Sequence, residues 1–260
     1  MSYETIRLEL AENVATLTLN RPDRLNALTP QLFAETMAAI DEAVTNGARA
    51  LILTGEGRAF CSGADLTARG ETGLPEDLGP IVDECYNPLA LKLANLDIPV
   101  VTAINGLAAG AGCSYALSGD ISVMARSAYL LLAFVNIGLV PDGGASWMVA
   151  KAVGRVKALE MALLGERLMA EDALAAGLVT RVVDDEKVLE EATAIARKLA
   201  AGPTQAIGRI RKQIAAALTA TLPETLQIER DNQSASGKTE DFKESIAAFA
   251  EKRPPVFKGR

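Results

Sequence analysis

Histidine is absent from all 260 residues. That one zero excludes Ser-His-Asp and Cys-His catalysis and removes the commonest metal ligand. Acid–base chemistry therefore falls to carboxylates, Lys, Tyr or Cys. Cysteine is scarce: Cys61, Cys85 and Cys113 are odd in number and carry no CxxC spacing. Free thiols in a reducing compartment are expected rather than a disulfide framework, and no metal site is expected. Positive charge is outnumbered, 26 Lys and Arg against 33 Asp and Glu, for a net charge of −7. General nucleic-acid binding leans on basic surface, so that class is not expected, and a phosphate-bearing small molecule would need a local cluster of cations. MSYETIRLEL shows no basic region followed by an apolar run, so a secretory signal is not expected and a cytoplasmic location is. Hydrophobic residues make up 49% of the chain, as in globular proteins. The length allows one large domain or two small ones.

What is present is organised around residues 98–120, IPVVTAINGLAAGAGCSYALSGD, which carry no charge before Asp120. A membrane helix would fit the length. Pro99, Asn105, Gly106, Gly110, Gly112 and Gly119 interrupt it too often for one. IPVVTAI has the β-branched character of a buried strand, and NG marks a turn. AAGAGCSYAL has the small residues of a helix packed close to another backbone. Free amides at such a helix start can hold a negatively charged oxygen.

Residues 5–10 and 14–20 predict a strand hairpin joined by AEN. Thr29 before Pro30 is a helix-start signal. Leu32, Phe33, Met37, Ile40 and Val44 give that helix an apolar face, and Gly47 ends it. ARALILTG reads as a strand. GEGRAFCSGADL follows as a loop whose three glycines can bring amides close to a ligand. Residues 67–80 are polar and rich in Gly and Pro, which predicts a loop or lid. A helix is predicted over 87–96, a strand at ISVMA, and a helix over 142–154 with Asp142 near its N-cap and Gly154 at its end. VKALEMALLG and AEDALAAG read as helical, LVTRVV as a last strand. Residues 185–249 read as helical, apart from breaks at Gly202, Pro203 and Pro223. The division expected is a core over residues 1–200 and a helical C-terminal region over 201–260.

Taken in order, NRPDRLNAL, GEGRAFCSGADL, PVVTAINGLAAGAG, ALSGD, GLVPDGG and the closing VFKGR resemble the enoyl-CoA hydratase/isomerase (crotonase) superfamily. The resemblance covers essentially the whole chain. It implies an α/β fold, a spiral of ββα units with a helical C-terminal region for trimerisation, often as a dimer of trimers. It also implies an acyl-CoA thioester as substrate, with coenzyme A part of the substrate and no separate cofactor or membrane partner. Two backbone N–H groups would stabilise the thioester enolate. By motif position these are Ala64 of SGAD and Ala111 of AAGAGC, and removing one such donor typically costs about 3–4 kcal/mol.

Family hydratases use two glutamates, and the matching positions here are Ser114 and Phe134. A hydroxyl and a phenyl ring cannot replace a paired acid and base. What remains is Asp142, whose position matches the acidic residue of the isomerase branch, including the isomerases of phenylacetate degradation. YNPLALKLANLDIPVVTAINGLAAGAG and AFVNIGLVPDGG resemble that branch closely. Two readings of Asp142 stay open, an N-cap held ionised at a helix start or an acid–base group raised in pKa by burial. The aromatic acyl-CoA dehalogenase branch needs a histidine that this chain lacks.

For the CoA portion the resemblance points to Arg24, Arg58, Ser62, Asp65 and Leu66, with Phe257 and Lys258 from a neighbouring subunit. Ser114, Phe134 and Tyr115 are candidates for the pocket wall. An isomerase acting through Asp142 is the leading expectation, in fatty acid or aromatic acid metabolism. An atypical hydratase and a non-catalytic acyl-CoA-binding homologue are the alternatives.

Overall fold

The computed structural model describes residues 3–67 and 76–260. Most of the loop expected over residues 67–80 thus lies outside the described residues. Strands β1 (Ile6–Ala11) and β2 (Val14–Leu19) form the expected hairpin, with Ile6 opposite Leu19 and Ala11 opposite Val14. Glu12 and Asn13 turn it at positive φ, 53° and 60°, the hand of two-residue turn that matches strand twist. Helix α1 (Pro30–Thr45) starts where Thr29 accepts a hydrogen bond from the Leu32 amide at 3.2 Å. Its buried face runs through Leu32, Phe33, Thr36, Ala39, Ile40 and Ala43. Val44, expected on that face, is exposed. Ala39 and Ala43 take part in the buried face in its place.

From there the chain repeats one move. A strand in a large sheet turns directly into a short strand of a second sheet. β3 (Ala50–Gly55) is followed by β4 (Ala59–Cys61), β5 (Val100–Ile104) by β6 (Leu107–Ala109), and β7 (Ile121–Ala125) by β8 (Tyr129–Leu131). With β9 (Leu168–Met169) and β10 (Arg181–Val183), the large sheet runs β1-β2-β3-β5-β7-β10 and the small one β4-β6-β8-β9. Every neighbour pair in the large sheet after the hairpin is parallel. This is the spiral of ββα units that the resemblance implies. The second strand of each unit escapes prediction because AFC, LAA and YLL are too short to show a period.

The helix expected over 87–96 is α2 (Asn87–Asn95), preceded by a turn at Gly79–Ile81 and a π-type turn at Val82–Tyr86 that the sequence pattern does not indicate. Residues 98–120 divide among β5, β6 and α3 (Ala111–Ala116). Among the described residues no helix is long and apolar enough to cross a membrane.

The helix expected from Asp142 starts later, as α4 (Ala145–Leu164) with Gly144 as N-cap. Gly154, at φ 75° and ψ 170°, breaks it without ending it. After α5 (Ala170–Ala175) and β10, α6 (Val188–Ala200) lays Val188, Ala192, Ile195, Ala196 and Ala200 on the large sheet. The last helices are α7 (Thr204–Ala217), α8 (Leu222–Ser236) and α9 (Glu240–Glu251). The break expected at Pro223 falls just before it, over residues 218–221, and Pro223 lies in the first turn of α8. An unforeseen break precedes α9, where Thr239 caps the Phe242 amide at 3.1 Å.

Candidate active site

Two motifs far apart in sequence are zipped side by side. The Ser62 amide donates to the Leu25 carbonyl at 3.0 Å, the Leu28 amide to the Gly63 carbonyl at 2.8 Å, and the Asp65 amide to the Leu28 carbonyl at 2.9 Å. The left-handed turn that aims residues 25–28 this way has Leu25 and Asn26 at φ 51° and 55°. Asn26, fully buried, accepts from the Arg21 amide at 2.9 Å and donates to the Glu56 and Ala59 carbonyls at 3.0 and 2.8 Å. Because a trans peptide sets N–H opposite C=O, the Gly63 carbonyl on Leu28 leaves the Ala64 N–H on the other edge, toward the cleft.

The second amide comes from α3. Ala111 is its first residue, so its N–H has no acceptor within the helix. Glycines bring the two segments together. A Cβ on Gly63, which sits at φ +90°, would lie 2.8 Å from the Ala109 carbonyl oxygen and 3.5 Å from the Ala111 nitrogen. One on Gly112 would lie 2.2 Å from the Cys61 carbonyl oxygen. The Ala64 and Ala111 amides are thus neighbours in a backbone cradle.

The cradle opens on a cavity of about 360 Å³. Ser62, Ala64, Leu66, Ala111, Phe134 and Asp142 line it, so six of the residues singled out in the sequence meet there. Leu78, Ile81, Val82 and Tyr86 complete the apolar wall. Ile81, Val82 and Tyr86 lie in the unforeseen turns before α2 and escape sequence reading, whereas Leu78 falls in the loop expected over residues 67–80; the single usable signal for the three is an aromatic just ahead of a helix. Tyr86 packs on Phe33 with ring centroids 4.6 Å apart and the rings tilted by 53°, and Phe33 meets Tyr115 edge-on at 5.9 Å. Tyr115 itself is buried, and its hydroxyl donates to the Tyr86 carbonyl at 3.2 Å. Burial, helped by the neighbouring Asp142 carboxylate, raises its pKa far above the usual phenol range.

Asp142 is the one carboxylate among the described residues that line the cavity. It lies two residues ahead of the α4 N-cap and does not cap that helix, which settles against the N-cap reading. Its Oδ1 is buried without a hydrogen-bond partner. Burial raises its pKa from about 3.8 to about 6, against a weaker opposing contact from its own amide. The cysteines offer no competing reactive group. All three are free, and burial pushes the thiols of Cys61 and Cys113 up to about 12.

Ser114 lies behind the wall, fully buried, and its hydroxyl donates to the Asp142 backbone carbonyl at 2.9 Å. Asp65 is also turned inward. It pairs with Arg21 at 2.8 Å and accepts from the Thr67 hydroxyl at 2.8 Å. Burial would raise its pKa, but Arg21 and Thr67 outweigh that and hold it at about 2. Arg24 and Arg58 are exposed and do not line the cavity. Phe257 and Lys258 are likewise absent from its lining. In the single chain the Phe257 carbonyl accepts from Arg49 at 3.1 Å, and the Lys258 amide donates to Asp241 at 2.7 Å.

The ββα spiral thus brings the Ala64 and Ala111 segments and one buried carboxylate to the same, largely apolar cleft. The model of the Enoyl-CoA hydratase/isomerase family matches residues 9–260, and the chain belongs to that family. The family acts on acyl-CoA thioesters. The chain is 44% identical over 260 residues to a 1,2-epoxyphenylacetyl-CoA isomerase of Escherichia coli (strain K12), covering 99% of each chain. It is 42% identical over 260 residues, all of both chains, to a probable enoyl-CoA hydratase of Rhodobacter capsulatus. Among solved structures, an enoyl-CoA hydratase from Bacillus anthracis superposes with a TM-score of 0.93 at 31% identity, over 99% of this chain and 100% of that one. An enoyl-CoA hydratase subunit from Geobacillus kaustophilus HTA426 superposes with a TM-score of 0.92 at 35% identity, over the whole of both.

Proposed function

We propose that this member of the family is an enoyl-CoA isomerase that moves a double bond through a thioester enolate, with Asp142 as its single acid and base. The observation that carries this reading is the buried Asp142 carboxylate, its Oδ1 without a hydrogen-bond partner, in a mostly apolar cavity whose other polar side chains among the described residues include Ser62 and Asn136. A general acid–base group works best with a pKa near the working pH, and burial brings Asp142 to about 6. The carboxylate removes a proton from C2 of a 3-enoyl thioester. The C–H electrons pass to the carbonyl oxygen, held at the Ala64 and Ala111 amides, and the dienolate then takes the same proton at C4. The net change is a double bond moved to C2=C3, with nothing oxidised or reduced.

Hydration asks for more than the described residues of the cleft supply. A water must be oriented by one group and activated by another, and Ser114 and Phe134 occupy the places of the family glutamates. Phe134 is 6% exposed and apolar, and Ser114 is already committed to the Asp142 carbonyl. A trimer built through α4 and the C-terminal helices belongs to the same proposal. The exposed apolar side chains of Val156, Leu163, Ile214, Leu226 and Phe249 support it, as surfaces of this kind mark association faces.

The test follows 3-enoyl-CoA compounds, aliphatic and aromatic, by NMR in D2O beside hydration of crotonyl-CoA. Double-bond migration in the wild type and its loss in Asp142→Asn, with acyl-CoA still bound, is the expected result. Hydration as the main reaction would overturn the isomerase reading, and binding without any conversion would favour a non-catalytic homologue.

A further inference from the structure

We infer that Ser114 is a positioning residue that fixes the Asp142 carboxylate relative to the oxyanion cradle. The inference rests on the reading of Asp142 as the base. Ser114 stands three residues after Ala111 on α3, about one helical turn along. One rigid helix thus carries both a proposed oxyanion donor and the side chain that grips the base-bearing peptide.

The grip is specific. A carbonyl oxygen has two lone pairs, and at Asp142 both are used. The Ser114 hydroxyl donates to it at 2.9 Å and the Ala145 amide at 3.1 Å. The Asp142 peptide is therefore clamped between α3 and the first turn of α4. Ser114 is completely buried, so water cannot substitute for the bond, and a buried donor left unpaired is costly. The chain that follows comes right up to the serine. A Cβ on Gly143, at φ +56°, would stand 3.1 Å from the Ser114 Cβ and 3.3 Å from its Oγ. The Asp142 side chain makes no bond at Oδ1, and the contact that its carboxylate has from its own amide ties it to the same peptide. Its aim is inherited from its backbone, and its backbone is held by Ser114.

This predicts a consequence peculiar to isomerisation. Exchange of the C2 proton asks Asp142 to reach one carbon, whereas migration asks it to reach C2 and then C4. A carboxylate that has lost its anchor retains the first task better than the second. The ratio of exchange to migration is thus a readout that general destabilisation does not move.

The experiment measures C2 deuterium incorporation and double-bond migration on one aliphatic 3-enoyl-CoA in D2O, for wild type, Ser114→Ala, Ser114→Thr and Asp142→Asn. Ser114→Ala is expected to lower the kcat for migration by about 10- to 100-fold, the scale of a small misplacement, with KM little changed. The exchange-to-migration ratio should rise severalfold and the acidic limb of the pH profile should shift, while Ser114→Thr, which keeps the hydroxyl, recovers part of the loss. If Ser114→Ala does not fold, Gly143→Ala displaces the same peptide and is read by the same ratio. A wild-type ratio and pH profile in the folded variant would overturn the inference while leaving Asp142 as base. Migration retained by Asp142→Asn would instead overturn the base reading itself.

Discussion

On one side of the cleft the working atoms belong to the backbone, the amides of Ala64 and Ala111. On the other they belong to a side chain, the Asp142 carboxylate. The cradle is held redundantly, by the ladder between residues 25–28 and 62–65, by the Asn26 hub and by glycines whose Cβ positions are filled by neighbouring carbonyls. The base hangs on a short loop with two bonds to one carbonyl oxygen and none to its own Oδ1. The difference teaches how such a fold can change chemistry. The enolate-stabilising part is embedded in the packing, and the proton-moving part is placed by a few local contacts.

The sharpest way to break this division is Asp142→Asn, which should cut migration by about 10²- to 10⁴-fold, the range of general acid–base catalysis. The same variant carries a sign test. A folded-state pKa raised from about 3.8 to about 6 favours the protonated form on folding, so the contribution of Asp142 to wild-type stability is full below about pH 3.8. That contribution is lost as pH rises to about 6. The amide of the variant does not titrate in this range, so denaturant unfolding should show the variant gaining on wild type across that window.

Gly63→Ala tests the opposite wall. Its Cβ would press on the Ala109 carbonyl at a φ that disfavours side chains, and the adjoining Ala64 amide must shift. Loss of one oxyanion donor predicts about a 10²- to 10³-fold fall in kcat. An equal kcat with an altered KM would break the assignment of that amide to the enolate.

Asp65→Asn probes the support of the cradle and not its chemistry. Losing a charge-assisted bond to Arg21 should cost about 2 kcal/mol in urea unfolding. Because its pKa is held at about 2, the pair stabilises the wild type above about pH 3.8 and is lost as pH falls toward 2. The difference between the two proteins should close in acid.

Arg24→Ala and Arg58→Ala carry the smallest effects. Exposed cations contribute about 0.2–1 kcal/mol to an ion pair, so each should raise KM for acyl-CoA about two- to fivefold, less at high salt, with kcat unchanged.

Much of the molecule is legible in its residues. The hairpin, α1 with its Thr29 cap, β5 and the NG turn can be read from alternation, capping and turn chemistry, which are local effects. The motif order carries the family, and the missing histidine narrows the chemistry whatever the packing. The misreading at the site has a local cause. Asp142 looks like a cap because Asp precedes a helical pattern. The chain starts α4 three residues later, because two left-handed glycines, Gly143 and Gly144, intervene.

What the sequence determined by itself was the inventory: no imidazole, no glutamate at either hydratase motif position, an Asp after the proline of GLVPDGG, and glycines where two backbones must touch. Tertiary structure alone decided which of these act together. That Ser114 holds the Asp142 carbonyl across 28 positions, that Asp65 faces Arg21, and that Leu78, Ile81, Val82 and Tyr86 wall the cavity are long-range facts. They depend on how the spiral stacks its turns, and no local pattern encodes the distance between turns. The raised pKa of Asp142 is of the same kind, since burial is a property of the packed chain and not of the residue.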